Sequence, residues 1–200
     1  MKKSWLICDK NKFLGLFLAF CLLLNRRNFI ESLLNRGEKM SELKKYKVDS
    51  FNLDHTKVVA PYVRLAARKI GGKGDVVTKF DVRVCQPNKE FMNTGALHTI
   101  EHIVAECLRD ELDGVIDFSP MGCRTGFYLT VWGDRDEEFI TDRLIPVFKK
   151  VVEWQGEIPA ANEVQCGNYR DMDLDGAKKF AEQWLDGIEE KGWNPFPDGK

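Results

Sequence analysis

The sequence holds three histidines, at positions 55, 98 and 102, and two of them are four residues apart. On an α-helix, positions i and i+4 share one face a single turn apart, so His98 and His102 can converge on one cation. Glu101 precedes the second of them, giving His98-Thr99-Ile100-Glu101-His102. This H-x-x-E-H order is the inverzincin arrangement, in which the carboxylate works as a general base beside the metal. The bland alternative is a solvated helix face with two incidental histidines, which the scarcity of histidine in this chain weakens.

Two imidazoles need at least a third ligand. Cysteine thiolate is a common addition, and three protein ligands leave a position open for water or substrate. Of the six cysteines (8, 21, 85, 107, 123 and 166), Cys85 ends an alternating segment and Cys107 lies in a helical one, where packing explains them. Cys123 in SPMGC and Cys166 in NEVQCGN lie in turn-like segments beside glycine, where a side chain can project. Spacing does not choose between them. The residues therefore point to an open His2Cys centre with one spare thiol and one carboxylate. Two rivals remain: a closed structural shell of His98, His102, Cys123 and Cys166, and a metallopeptidase recruiting Glu153, Glu157 or Glu163.

The elements that would position these groups follow from periodicity. Val76 to Cys85 alternates, with Val76, Phe80, Val82 and Val84 on one side and Lys79, Asp81, Arg83 and Cys85 on the other, as in a half-buried strand. Gly71, Gly72 and Gly74 supply a turn before it. A helix is predicted from Asn93-Thr94-Gly95 to about Leu112, with Thr94 as N-cap, a buried stripe of Leu97, Ile100, Val104 and Leu108, and Gly114 as its stop. Glu101 falls at the edge of that stripe and the histidines just beyond it. Val115 to Phe118 and Phe127 to Trp132 are short β-prone segments around a corner at Ser119 to Gly122, able to pair antiparallel. Asp134 can cap a helix to about Trp154, with Pro146 kinking it or marking its start. A helical turn from Asn162 and an amphipathic helix from about Asp175 to Glu190 follow. The order β, α, β, β, α, α predicts an α+β fold in which helices pack on an antiparallel sheet.

The bulk properties bound the partners. Two hundred residues with 44% hydrophobic content suit one domain. Thirty basic against thirty-one acidic residues leave a net charge of -1, which recommends neither nucleic acid nor an anionic membrane as partner. The cysteines show no CxxC and no disulfide framework, so free thiols in a reducing cytoplasm are expected. The apolar run Phe13–Leu24 is shorter than the roughly 20 residues of a membrane span, and Asn25-Arg26-Arg27-Asn28 is a poor signal cleavage site. Residues 1–39 are therefore expected to be an extension outside the fold, with a single catalytic domain over 40–200 and no stable membrane association.

Five blocks resemble the LuxS family of S-ribosylhomocysteine lyases: SFNLDHTKVVAPYVR at 50–64, KFDVRVCQPN at 79–88, HTIEH at 98–102, DFSPMGCRTGFYL at 117–129 and IPAANEVQCG at 158–167. They run in family order, no motif residue is missing, and residues 1–39 alone depart from the pattern. The resemblance implies cleavage of S-ribosylhomocysteine to homocysteine and 4,5-dihydroxy-2,3-pentanedione, a quorum-sensing autoinducer precursor, by carbonyl shifts and β-elimination. It implies one divalent metal per subunit on His98, His102 and Cys166, ferrous iron foremost, with zinc or cobalt as alternatives. It further implies acid/base work by Cys123 and Glu101, and substrate binding or orientation by Ser50, His55, Arg83 and Asp117. Finally, it implies a cytoplasmic homodimer with the active site at its interface.

Overall fold

Among the described residues, segments rich in β-formers and separated by glycine-bearing turns build four strands: β1 (Tyr62–Ile70), β2 (Val76–Arg83), β3 (Val115–Pro120) and β4 (Gly126–Trp132). They form one antiparallel sheet in the order β1-β2-β4-β3. Three helices, α1 (Thr94–Glu111), α2 (Glu137–Glu153) and α3 (Leu174–Lys191), complete the α+β architecture. The computed structural model describes residues 44–196, so the apolar run Phe13–Leu24 and the boundary expected at Met40 lie outside the described residues.

One hydrophobic cluster joins the layers. Phe80, Val82, Leu129 and Val131 of the sheet meet Ile100, Ile103 and Leu108 of α1, Leu144 and Phe148 of α2, and Trp184 of α3. Phe148 and Trp184 stack with centroids 4.2 Å apart. Each such side chain contributes about 1.5–3 kcal/mol by leaving water. Together they fix the face that α1 turns inward, and hence the edge on which its polar residues emerge.

The strand at Tyr62–Ile70 departs from the order read in the sequence. Arg64, Ala66, Ala67, Arg68 and Lys69 are good helix formers and blur the alternation, but pairing with β2 overrides propensity, with a register shift between Leu65 and Ala67. The half-buried reading of β2 also needs correction, because from Phe80 onward both faces are buried. Asp81 and Arg83, on the polar face, are 1% and 2% exposed. Their burial is tolerated because they neutralise one another, as described below.

Smaller corrections concern the helix ends. Asn93, and not Thr94, caps α1: its Oδ1 accepts the Ala96 N–H at 2.7 Å, while the Thr94 hydroxyl donates to Asp171 at 3.2 Å. Asp136 takes the capping role expected of Asp134, which instead pairs with Arg68, and Pro146 lies inside α2 rather than at its start. β3 continues through Pro120. As an edge strand it can hold a residue with no N–H to donate. The turn into β4 is thereby moved to Met121–Thr125. Gly126 is required there, since a Cβ would collide with the Val82 carbonyl oxygen.

Candidate active site

His98, Glu101 and His102 sit half-buried on the edge of α1, beside the fully buried Ile100. The loop between α2 and α3 closes over them. Asn162 Oδ1 accepts the N–H groups of Val164 and Gln165, and the Asn162 carbonyl accepts that of Cys166, a single capped turn that presents the thiol. Further along, the Asp173 N–H donates to Thr99 Oγ1 at 2.9 Å, and Asn93 Nδ2 donates to Asp173 Oδ2 at 2.8 Å. Gly95 permits this close approach, for a Cβ there would lie 3.0 Å from that of Asp173.

The docked loop orients both imidazoles. His98 Nδ1 lies 3.0 Å from the Asp171 carbonyl oxygen and His102 Nδ1 lies 2.7 Å from that of Pro159. A carbonyl only accepts, so the hydrogens belong on the two Nδ1 atoms and the lone pairs on the two Nε2 atoms. These Nε2 atoms face one another at 3.0 Å, and Cys166 Sγ is 3.4 Å from that of His98. Lone pairs directed together at such a distance call for a cation among them. The three ligand atoms lie within 4.8 Å of one another, and the donor set fits a divalent metal, down to the backbone acceptors behind each histidine.

Among the described residues this group contains neither Cys123 nor Glu153, Glu157 or Glu163. The closed four-ligand shell and the peptidase-like ligand set are thus not formed. Glu101 is likewise outside the ligand set. Burial raises its pKa above the usual carboxylate range; the nearby His98 and His102 pull it back down, and Asp117 pushes it up. An open cavity of about 270 Å3, walled in part by Glu101, His102, Arg109 and Pro159, adjoins this edge of α1. Asp117, exposed on β3, accepts the Ser119 hydroxyl at 2.7 Å.

Cys123 belongs to a second cluster, at the end of the sheet. It is exposed in the β3–β4 turn, with Sγ 3.0 Å from Thr125 Oγ1 and 3.9 Å from Arg83 Nη1. Arg83 donates to Thr125 Oγ1 at 2.6 Å and grips Asp81 with Nε and Nη2 at 3.0 and 2.7 Å. Asp81 also accepts from the Tyr62 hydroxyl and from Arg64. Burial works against the Arg83 charge, but the Asp81 hydrogen bonds and charge prevail and hold its pKa above the ordinary range. Ser50 lies on a short 3-10 helix (Asp49–Asn52), and His55 Nδ1 faces the Leu53 carbonyl at 2.9 Å. Among the described residues, no hydrogen bond or ion pair joins Ser50, His55 or Cys123 to the histidine cluster.

Three parts of the site were not read from the sequence. Asp81 and Thr125 received no role, although opposite charges at i and i+2 on one strand face could have flagged Asp81 with Arg83. The carbonyls of Pro159 and Asp171 leave no signal in residue type at all.

A family description, S-Ribosylhomocysteinase (LuxS), matches residues 48–194. Similar proteins include the S-ribosylhomocysteine lyase of Clostridium botulinum, 56% identical over 140 residues, covering 70% of this chain and 92% of its own length. That of Thermus thermophilus is 58% identical over 139 residues, covering 70% and 89%. That of Streptococcus suis is 45% identical over 141 residues, covering 69% and 88%.

Proposed function

This chain belongs to the LuxS family, and from that premise we propose how its two residue clusters carry out the carbon–sulfur lyase reaction on S-ribosylhomocysteine. The enzyme cleaves this thioether to homocysteine and 4,5-dihydroxy-2,3-pentanedione. The observation that carries the assignment of ligands is the pair of histidine Nε2 atoms facing one another at 3.0 Å with Cys166 Sγ alongside.

Elimination of a thiol requires the carbon bearing sulfur to be β to a carbonyl. In the open-chain sugar the carbonyl starts at the far end, so it must first move along the chain by two enediol shifts. Each shift removes a proton from the carbon next to the carbonyl, returns one to the old carbonyl carbon, and relocates the oxygen-bound protons. A last proton abstraction then expels homocysteine as the thiol. Cys123, exposed and backed by Arg83, is the group we assign to the carbon-bound protons; Glu101, held toward its neutral form by burial, moves those on oxygen. His98, His102 and Cys166 would hold the divalent metal, whose chemistry when bound is Lewis-acid stabilisation of the oxygens that take up charge. Ferrous iron is our reading of its identity. Asp117 and the buried Arg83 orient the substrate, together with Ser50 and His55.

In this reading a homodimer brings the Cys123 cluster of one subunit to the metal centre of the other. Exposed apolar side chains at Phe51 and Phe91, 65% and 59% accessible, are the kind of surface such contact would cover. The test is release of homocysteine by anaerobically purified protein, with metal content and molecular mass measured on the same sample. No thiol release from S-ribosylhomocysteine at full metal loading would overturn the reading.

Residues 40–200 are read as the catalytic domain of a cytoplasmic enzyme whose product serves as an autoinducer precursor. No helix among the described residues is long and apolar enough to cross a membrane. Because the family match begins at residue 48, a chain beginning at Met40 is expected to be dimeric and fully active. Finding the native full-length protein mainly in the membrane pellet, with no shorter form, would contradict this.

A further inference from the structure

Thr125 is 6% exposed, and its side chain stands between a buried cation and an exposed thiol. Its backbone is pinned independently, since its carbonyl oxygen accepts from both Val84 N–H and Cys85 N–H at 3.0 Å. The hydroxyl oxygen receives Arg83 Nη1–H at 2.6 Å, which occupies a lone pair and leaves its own hydrogen to be donated. Cys123 Sγ lies 3.0 Å away in reach of that hydrogen, closer than the 3.9 Å that separates it from Arg83 itself.

We propose that Thr125 is a positioning residue that relays the Arg83 charge to Cys123, its hydroxyl accepting from the guanidinium and donating to the sulfur. The relay fixes the direction in which the sulfur lone pairs point and stabilises the sulfur when it is anionic and ready to take a proton. An O–H polarised by a cation on its far side donates more strongly than an isolated one. Arg83, gripped by Asp81, reaches the sulfur directly only through the longer 3.9 Å contact of Nη1. The inference deepens the proposed function and rests on Cys123 being an acid/base group.

The experiment compares metal-loaded, full-length wild type with Thr125→Val and Thr125→Ser, using iodoacetamide as the probe and peptide mass spectrometry to follow Cys123 alone. Alkylation of Cys123 in Thr125→Val is expected to slow about tenfold, the effect of one lost hydrogen bond to a charged group. The kcat for homocysteine release should fall by a similar factor with KM and metal content little changed. Thr125→Ser, which keeps the hydroxyl, should stay within about threefold of wild type. Thr125→Ala serves as a second hydroxyl-free variant should the valine form not fold. Unchanged alkylation in the hydroxyl-free variants, or a loss in Thr125→Ser as large as theirs, would overturn the relay. Retained homocysteine release in Cys123→Ala is a different failure: it would remove Cys123 from the chemistry while the alkylation rates still judge the contact with Thr125.

Discussion

The two clusters of functional side chains are built on opposite principles. His98, His102 and Cys166 are each half-buried and are brought together by an element spacing of four residues plus one docked loop, with backbone carbonyls setting the rings. Asp81 and Arg83 on β2 and Thr125 in the turn before β4 are buried side chains, and they hold one another without help from the α2–α3 loop. The first arrangement is a set of converging donors that a cation completes. The second is complete as folded and leaves only the Cys123 thiol exposed. A metal site can draw part of its order from the metal, whereas a thiol in the proton-exchanging role proposed for Cys123 needs its surroundings fixed beforehand.

The largest expected effects separate the clusters by what each acts upon. His102→Ala should lose both bound metal and homocysteine release, because a ligand acts on the cation. Cys123→Ala and Glu101→Gln should abolish release while metal content, read by elemental analysis, stays near wild type. Loss of metal in the Cys123 variant would mean that the thiol is a ligand after all and that the two clusters are one.

A smaller effect probes the rigidity of the sheet cluster. Asp81→Asn leaves Arg83 buried without a balancing charge, and breaking one side of a buried pair costs about 3–5 kcal/mol. The midpoint of denaturant unfolding should fall accordingly, and added salt should do little to change the difference. The exposed pair Arg68 and Asp134, at a similar distance of 2.6 Å, is the control, and Arg68→Ala should hardly move the midpoint. Equal effects at the two sites would show that Asp81 and Arg83 are not held as a desolvated pair.

The unequal construction also explains what the sequence disclosed. A helix with a 3.6-residue stripe places His98, Glu101 and His102 by arithmetic, so that two of the three residues of the metal group were visible from spacing alone. Choosing Cys166 over Cys123 needed the family resemblance, since both sit beside glycine in turns. β1 escaped because Arg64, Arg68 and Lys69 carry a helical propensity that strand pairing overrode. With β1 missing, the face shared by Tyr62, Arg64, Asp81 and Arg83 had no partner strand, and the buried ionic cluster could not be inferred. Thr125 has no signature beyond its neighbours, since a threonine in a turn ordinarily bonds only nearby backbone.

The finest test concerns the caps that join the loop to α1. Asn93 does two things: its Oδ1 accepts the Ala96 N–H at the start of α1, and its Nδ2 donates to Asp173, which itself caps α3 by accepting the Gly176 N–H at 2.9 Å. Two residues before Asp173, the carbonyl of Asp171 receives His98 Nδ1. The helix starts and the histidine acceptor are therefore one connected piece of structure. Asn93→Ala should cost about 1 kcal/mol from the lost cap, and it should also loosen metal binding slightly by freeing the Asp171–Asp173 segment. Asn93→Ser restores a capping oxygen but not the donor to Asp173. It should recover most of the unfolding free energy while metal binding, measured by competition with a chelator, remains as weak as in the alanine variant. If serine restores both equally, the Asn93–Asp173 bond adds nothing to the orientation of His98, and the docked loop is held by its other contacts with α1, those of Thr94 and Thr99 among them.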